Sequence, residues 1–529
     1  MLKEKNISFF GEVNFRFQRK VCGERKKMKT QNKLTQNLDY ILSLDSDRWL
    51  FHADVLVDKA HVVMLEERDI ISREQSRDIL NGLIAIEQRG AAEFIEQELL
   101  AHAHDDVHTA IESVLIRELG EGTGGRMHTG RSRNDEVATC IRIALRDDLI
   151  ELMKDVNELR SAVIAKAAEH VDTVMPGYTH LQHAQPTTLA HHLSAYSDAF
   201  ARDFARLVTV YERTNVSPLG AAAFASTGFP LDRASTAKLL GFDSVMPNSM
   251  DAVSTRDFVI EAIACFANLM TNLSRLAEET VLWSTAEFDF VRVPEDYITG
   301  SSIMPQKRNP DFAELVRSRA GTVYGCLMSA LSICKALPYA YNRDLQEVTT
   351  HLLKATKTTA ASVSVMTRIV AGLEPNKEEM KRKTMVGFTT ATELADTIVR
   401  ATGISFRTAH KIVASLAPVL THKNHELESG GDILRRIDAL AVGITGKKLS
   451  ELGLTEENVK EAMDVCSNIE KRNVYGGPAK EQVRKTIETR TWDLNRDEKL
   501  IEAKEEGVKK SLEELERRIA ELSAEGIGC

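Results

Sequence analysis

Gly300-Ser301-Ser302-Ile303-Met304-Pro305-Gln306-Lys307-Arg308-Asn309-Pro310-Asp311 is the stretch around which the rest of the chain is organised. Gly300 admits backbone angles closed to other residues, and each proline fixes its own φ and disfavours helix just before it. A shaped loop is therefore expected, set between two long segments of helical pattern. Its side chains suit an anionic substrate. Lys307 offers a point charge for a carboxylate, Asn309 a donor and an acceptor, and the glycine–serine turn exposes amide N–H groups able to hold an oxyanion. An ordinary surface connection is the alternative, since Gly, Ser, Pro and Asn are common loop residues.

Outside this loop the chain is poor in helix breakers, with 12 prolines and 29 glycines in 529 residues, which favours helix throughout. Its length calls for more than one domain. Hydrophobic content of 43% and charged content of 27% are those of a globular protein. A formal charge of −9 gives no support for nucleic-acid binding. No apolar run is long enough to span a membrane. Seven cysteines, an odd number without a CxxC pair, read as reduced thiols in a cytoplasmic protein. Residues 1–33 carry ten Lys/Arg against three Glu and no apolar segment, so a basic arm, or a true start near Met28, is expected there.

Three long runs step by three and four residues: Leu193 to Tyr211, Val259 to Ala277, and Phe312 towards Leu337. Such stripes are the core of a helical bundle. Loops between the runs collect the chemistry. His102-Ala-His104-Asp105-Asp106-Val107-His108 places His104 and His108 at i, i+4, as in a zinc helix, but no third ligand follows at a diagnostic spacing and no metal is expected. Arg131-Ser132-Arg133-Asn134-Asp135 opens a helix, where two guanidiniums, an asparagine and free N–H groups form either an anion-recognition cluster or a solvated helix start. His180, in Gly177-Tyr178-Thr179-His180-Leu181-Gln182, is read as a proton carrier in a loop between helices. From about Val386 to Arg490 a smaller helical domain follows. A tail with Ile501, Val508, Leu512, Leu515, Ile519 and Leu522 at heptad-like spacing reads as a coiled-coil-prone oligomer contact.

The signature loop resembles that of the fumarase/aspartase superfamily, and its form Met304-Pro305-Gln306-Lys307-Arg308-Asn309-Pro310-Asp311 is similar to that of the argininosuccinate lyases. His128-Thr129-Gly130-Arg131-Ser132-Arg133-Asn134-Asp135 resembles the same branch. The resemblance covers roughly residues 36 to 490. It implies an all-α fold of three helical domains, with a central long-helix bundle that forms a multi-helix core in a homotetramer. On this reading the chain divides into a basic arm (1–33), an N-terminal domain (34–129), the bundle (130–378), a C-terminal domain (379–490) and the tail (491–529).

The activity implied is reversible β-elimination of argininosuccinate to arginine and fumarate, without cofactor or metal, at sites shared between subunits. A sister lyase or a catalytically silent structural relative is the alternative. By the same resemblance Ser301 is the base and His180 the second proton carrier. Thr179, Asn134, Lys307, Asn309, Tyr341 and Gln346 bind substrate, with Arg131, Ser132 and Arg133 in the anion cluster. Ser43 either caps the first long helix or contacts substrate, and Asp105 stands where the family has a glutamate. One departure is Thr349, where animal-type argininosuccinate lyases carry a lysine that contacts a carboxylate.

Overall fold

A computed structural model describes residues 44–422 and 429–524. The basic arm and Ser43 lie outside the described residues. Three helices open the fold: α1 (Leu44–Glu67), α2 (Arg73–Phe94) and α3 (Val107–Leu119). Five long helices then form the body: α4 (Arg133–Glu169), α5 (Leu189–Thr214), α6 (Asp257–Trp283), α7 (Asp311–Cys334) and α8 (Asp344–Gly372). They run alternately up and down, α4 packing on α5 and α8, and α6 on α5, α7 and α8.

Sequence explains where the rods begin. The Ser132 hydroxyl accepts a hydrogen bond from the Asn134 amide, and the Asp135 carboxylate accepts one from the Ser132 amide, closing a capping box at the head of α4. Ser72 and Gln75 do the same for α2, and Thr188 caps α5. The apolar stripes expected of α5 and α6 face inwards, with Leu193, Phe200, Phe204, Leu207, Val259, Ile263, Phe266, Met270 and Leu273 all buried.

Strands are few and short. The longest pair is the antiparallel hairpin β1 (Val174–Thr179) and β2 (Gln182–Thr188), with a bulge between Pro176 and Tyr178. The signature loop is itself closed by β3 (Thr299–Gly300) and β4 (Arg308–Asn309).

Beyond α8, α9 (Lys377–Thr384) leads into a unit with its own core, made by α10 (Ala391–Thr402), α11 (Phe406–His422), α12 (Gly430–Thr445) and α13 (Glu456–Met463) around Leu394, Ile398, Ile412, Leu416, Ile437 and Val459.

The tail is the expected helix, but its apolar stripe does not wait for an oligomer contact. Lys480–Ala524 is one helix of 45 residues, α14, which crosses the boundary placed at 490 and lies back along the body antiparallel to α4. Ile501, Val508, Leu515, Ile519 and Leu522 are buried, and all but Val508 belong to the main core, so the heptad-like stripe is satisfied within the chain. Ion pairs fix its register: Arg160–Asp497 at 2.8 Å, both side chains buried, then Lys154–Glu505 at 2.8 Å and Arg518–Glu67 at 2.6 Å. Lys59, itself buried, pairs with Glu87 at 2.7 Å and Glu516 at 3.2 Å.

Leu515→Ala is therefore expected to lower folding stability by about 2–5 kcal/mol, as truncation of a fully buried leucine does, without changing the particle mass in solution. Denaturant titration with light scattering checks this. An unchanged midpoint with a smaller oligomer would restore the intermolecular reading.

Candidate active site

The residues singled out from sequence gather at the two ends of the rod bundle. At the first end is the β1–β2 hairpin. Thr179 pairs with Gln182, leaving His180 and Leu181 as a two-residue turn with φ of 55° and 57°. Two consecutive left-handed residues define the type I′ geometry that suits strand twist, a position normally filled by Asn-Gly. Side chains there cost about 1–2 kcal/mol each, so the surrounding packing must hold the turn. The loop expected between helices is thus a hairpin joining α4 to α5, with His180 at its exposed tip. Beneath it the Tyr178 ring packs on Phe288 and Phe290, at 5.6 and 6.4 Å between centroids.

The chain continues from Phe290 to β3, so the signature loop hangs from the same connection. Within it the Ser301 hydroxyl oxygen accepts hydrogen bonds from the amides of Ile303 (3.3 Å) and Met304 (3.0 Å), and the Lys307 amide closes the turn on the Met304 carbonyl at 3.0 Å. Two N–H dipoles aimed at one hydroxyl favour its ionised form. Lys307 is exposed and Asn309 half-buried.

The second end lies at the opposite tips of the same rods. Asn134 donates from Nδ2 to the Ala223 carbonyl at 3.0 Å, and Arg133 pairs with Asp106 at 3.3 Å. Asp135 accepts from the amides of Gly220 (2.9 Å) and Ala222 (2.8 Å), so it moors the loop that Asn134 touches. Tyr341 follows the C-terminus of α7 here. Burial raises its hydroxyl pKa, against the opposing pull of Arg256 and Arg343, while Asp106 raises it further. Gln346 lies in the first turn of α8, and Thr349, one turn on, is buried, so it cannot stand in for an exposed lysine.

Several expectations need correction. Arg131 is enclosed, pairing with Asp58 at 2.6 Å and Glu136 at 3.0 Å, so its charge serves the interior and not a bound anion. Ser132 is occupied as the cap of α4. His104 and His108 do not share a helix face, because Asp106 caps α3 and leaves His104 outside it.

Asp106 falls in the Asp105-Asp106-Val107-His108 stretch that resembles the family's Glu-Asp-x-His block, whereas Arg256, an arginine just before a long apolar stripe, carried no signal in the sequence.

Below the second end lies a buried charge cluster. His108 meets Asp54 at 2.7 Å and Glu136 at 4.0 Å. Burial alone would lower its pKa, but Asp54 reverses this and brings it to about 10. Burial raises Asp58 to about 6 despite Arg131, and it lowers His61 to about 3, so the His61 ring is neutral and donates to the Thr129 carbonyl at 2.9 Å. Asp54, Asp58, Glu136, His108 and Cys140 stand close enough to suggest a cation site. Arg131 and the imidazolium of His108 already supply the positive charge that these carboxylates need.

One rod separates the two ends. α4 has 37 residues, about 55 Å at 1.5 Å per residue, with Asn134 at its head and the hairpin beyond its foot. Folding back along the helix, a hairpin of this length would recover only about 20 Å. Asn134 and His180 of one chain are therefore about 30 Å or more apart.

Similarity to known proteins agrees with this architecture. Residues 27–325 match the lyase family model, and residues 388–470 match the argininosuccinate lyase C-terminal model. The argininosuccinate lyase of Methanococcoides burtonii is 52% identical over 466 residues, 88% of this chain and 92% of that protein. That of Methanospirillum hungatei is 44% identical over 501 residues, 94% and 99% of the two chains, a span that cannot stop short of α14. Among solved structures, an EDDS lyase in complex with formate superposes with a TM-score of 0.82 at 33% identity, covering 93% of this chain and 95% of that one. Fold and sequence together define a helical lyase of the fumarase/aspartase superfamily. Within it, the chain belongs to the argininosuccinate lyase family.

The buried cluster has a pH signature. His108 has a folded pKa of about 10, above an unfolded value near 6.5, so between these the unfolded chain binds fewer protons. The stabilisation is complete below about pH 6.5 and lost as pH rises towards 10. Unfolding measured across this window should show a steeper loss in the wild type than in His108→Gln. Equal slopes would contradict a charged His108.

Proposed function

We propose that this protein catalyses the reversible β-elimination of argininosuccinate to L-arginine and fumarate, as a homotetramer whose sites combine the first end of one subunit with the second end of others. The observation that carries the mechanism is the Ser301 oxygen cradled by two backbone amides. A neutral serine is too weak a base for a carbon acid, and its alkoxide needs this kind of fixed dipole.

Ser301 takes the proton from the carbon next to a substrate carboxylate, and the electron pair spreads into that carboxylate. Lys307 and Asn309 meet the developing second charge; one cation at ~4 Å is worth about 4 kcal/mol at an effective dielectric near 20. The carbon–nitrogen bond then breaks, its electrons stay with the guanidino nitrogen, and the carbanion pair becomes the double bond of fumarate. His180 delivers the proton that the departing nitrogen accepts. Thr179, Asn134, Tyr341 and Gln346 orient the substrate, while Arg133 and Asp106 hold the wall around it. Ser43 keeps its two proposed roles.

Assembly is supported by α7, whose Tyr324, Met328 and Leu331 are exposed at 42–64% on one face and whose Gly321 and Gly325 face open space. An apolar helix face in mid-bundle suits burial against other copies. The five described cysteines are free thiols, which suits work in the reducing cytoplasm.

Purified protein should release fumarate from argininosuccinate, followed by ultraviolet absorbance, and Ser301→Ala should lower kcat by about 10²–10⁴ with the oligomer intact. Turnover of adenylosuccinate, aspartate or malate instead would keep the fold and remove the substrate assignment. An undiminished Ser301→Ala would remove the base.

A further inference from the structure

His183 lies outside the residues given a role above, yet it stands between two strained pieces of backbone. It sits on β2 opposite Tyr178, just after the turn that carries His180. Its Nδ1 is 2.9 Å from the Val386 carbonyl oxygen, and its Nε2 is 3.1 Å from the Tyr178 hydroxyl. A carbonyl only accepts, so Nδ1 carries the hydrogen, and in the neutral ring Nε2 accepts from Tyr178. Tyr178 stays protonated to do this, since burial pushes its pKa up to about 12. The two rings meet edge to face at 5.1 Å.

Val386 is the last residue before a joint. Gly387 (φ 83°) and Phe388 (φ 58°) are both left-handed, where the chain leaves α9 and enters the C-terminal unit, with Phe388 buried in that unit's separate core. A side chain at Gly387 would begin 3.4 Å from the His183 ring. A cavity of about 480 Å³ opens between hairpin and joint, lined by Leu181, Gln182, His183, Lys383 and Gly387 among others.

We propose that His183 is a positioning residue: it fixes the angle at which the hairpin presents His180 and ties that angle to the 386–388 joint of the C-terminal unit. The inference rests on His180 acting as a proton carrier. Because the His183 contacts are half exposed, their loss should disturb the direction of the turn more than global stability. A misaimed proton carrier lowers kcat and leaves uniform substrate binding in place.

The test uses the full-length enzyme and three substitutions. His183→Asn keeps an N–H donor near the place of Nδ1. His183→Gln carries its donor further out and loses the Val386 bond, and His183→Phe keeps only the ring. The expected result is a roughly 10- to 100-fold fall in kcat for Gln and Phe, KM within about twofold, a near-unchanged Tm, and recovery of most activity in Asn. An unaffected kcat in Phe, an Asn variant as slow as Phe, or a Tm that falls in step with kcat would each overturn the proposal. His180→Ala serves as the control. If it were fully active, the catalytic reading would fall and this proposal with it. If it were inactive beside a fully active Phe variant, only the positioning role would fall.

Discussion

Rod length governs this protein. A 37-residue helix does not bend back on itself, so the groups at its two ends cannot serve one small substrate within a single chain. α5, α6, α7 and α8 repeat the constraint, each carrying the chain from one end to the other. Every residue proposed for the site sits at or near the end of a rod, where the backbone leaves helical geometry and frees its N–H groups for a ligand. The same rods leave an apolar face on α7 exposed, the surface that the proposed assembly would bury.

The second end is held by charge, the first by backbone shape. Asp58, Arg131, Glu136, Asp54 and His108 form a closed ionic group whose members are costly to bury alone and tolerable only together. Through Arg131 and Asp135 it fixes the head of α4 and the loop that meets Asn134. At the first end, two hairpins with little core of their own present His180 and Ser301. One rests on an aromatic stack and the other on amides folded back on a hydroxyl. Shallow elements of this kind open at little cost, while the charge cluster keeps the second end rigid.

Much of this was legible in the sequence. The stripes of α5 and α6 and the capping of α4 follow from local rules that tertiary contacts did not override. Where the reading failed, the cause was long-range. Arg131 looks like an anion receptor until Asp58 and Glu136, one of them 73 positions earlier, are seen to enclose it. The tail's apolar spacing is the same whether its partner is another chain or α4 of its own, and only the fold decides. His180 in a left-handed turn defied propensity outright, since the residue pair there has no glycine or asparagine to announce it.

The most direct test of a divided site is complementation between chains. Asn134→Leu and Ser301→Ala disable opposite ends, so each alone should be inactive. Dissociated, mixed and reassembled, they should regain activity, because random assortment leaves both ends intact at roughly a quarter of the sites. If the mixed oligomer forms and remains as inactive as its parents, each site is built within one chain, and the separation imposed by the rods is not what organises catalysis.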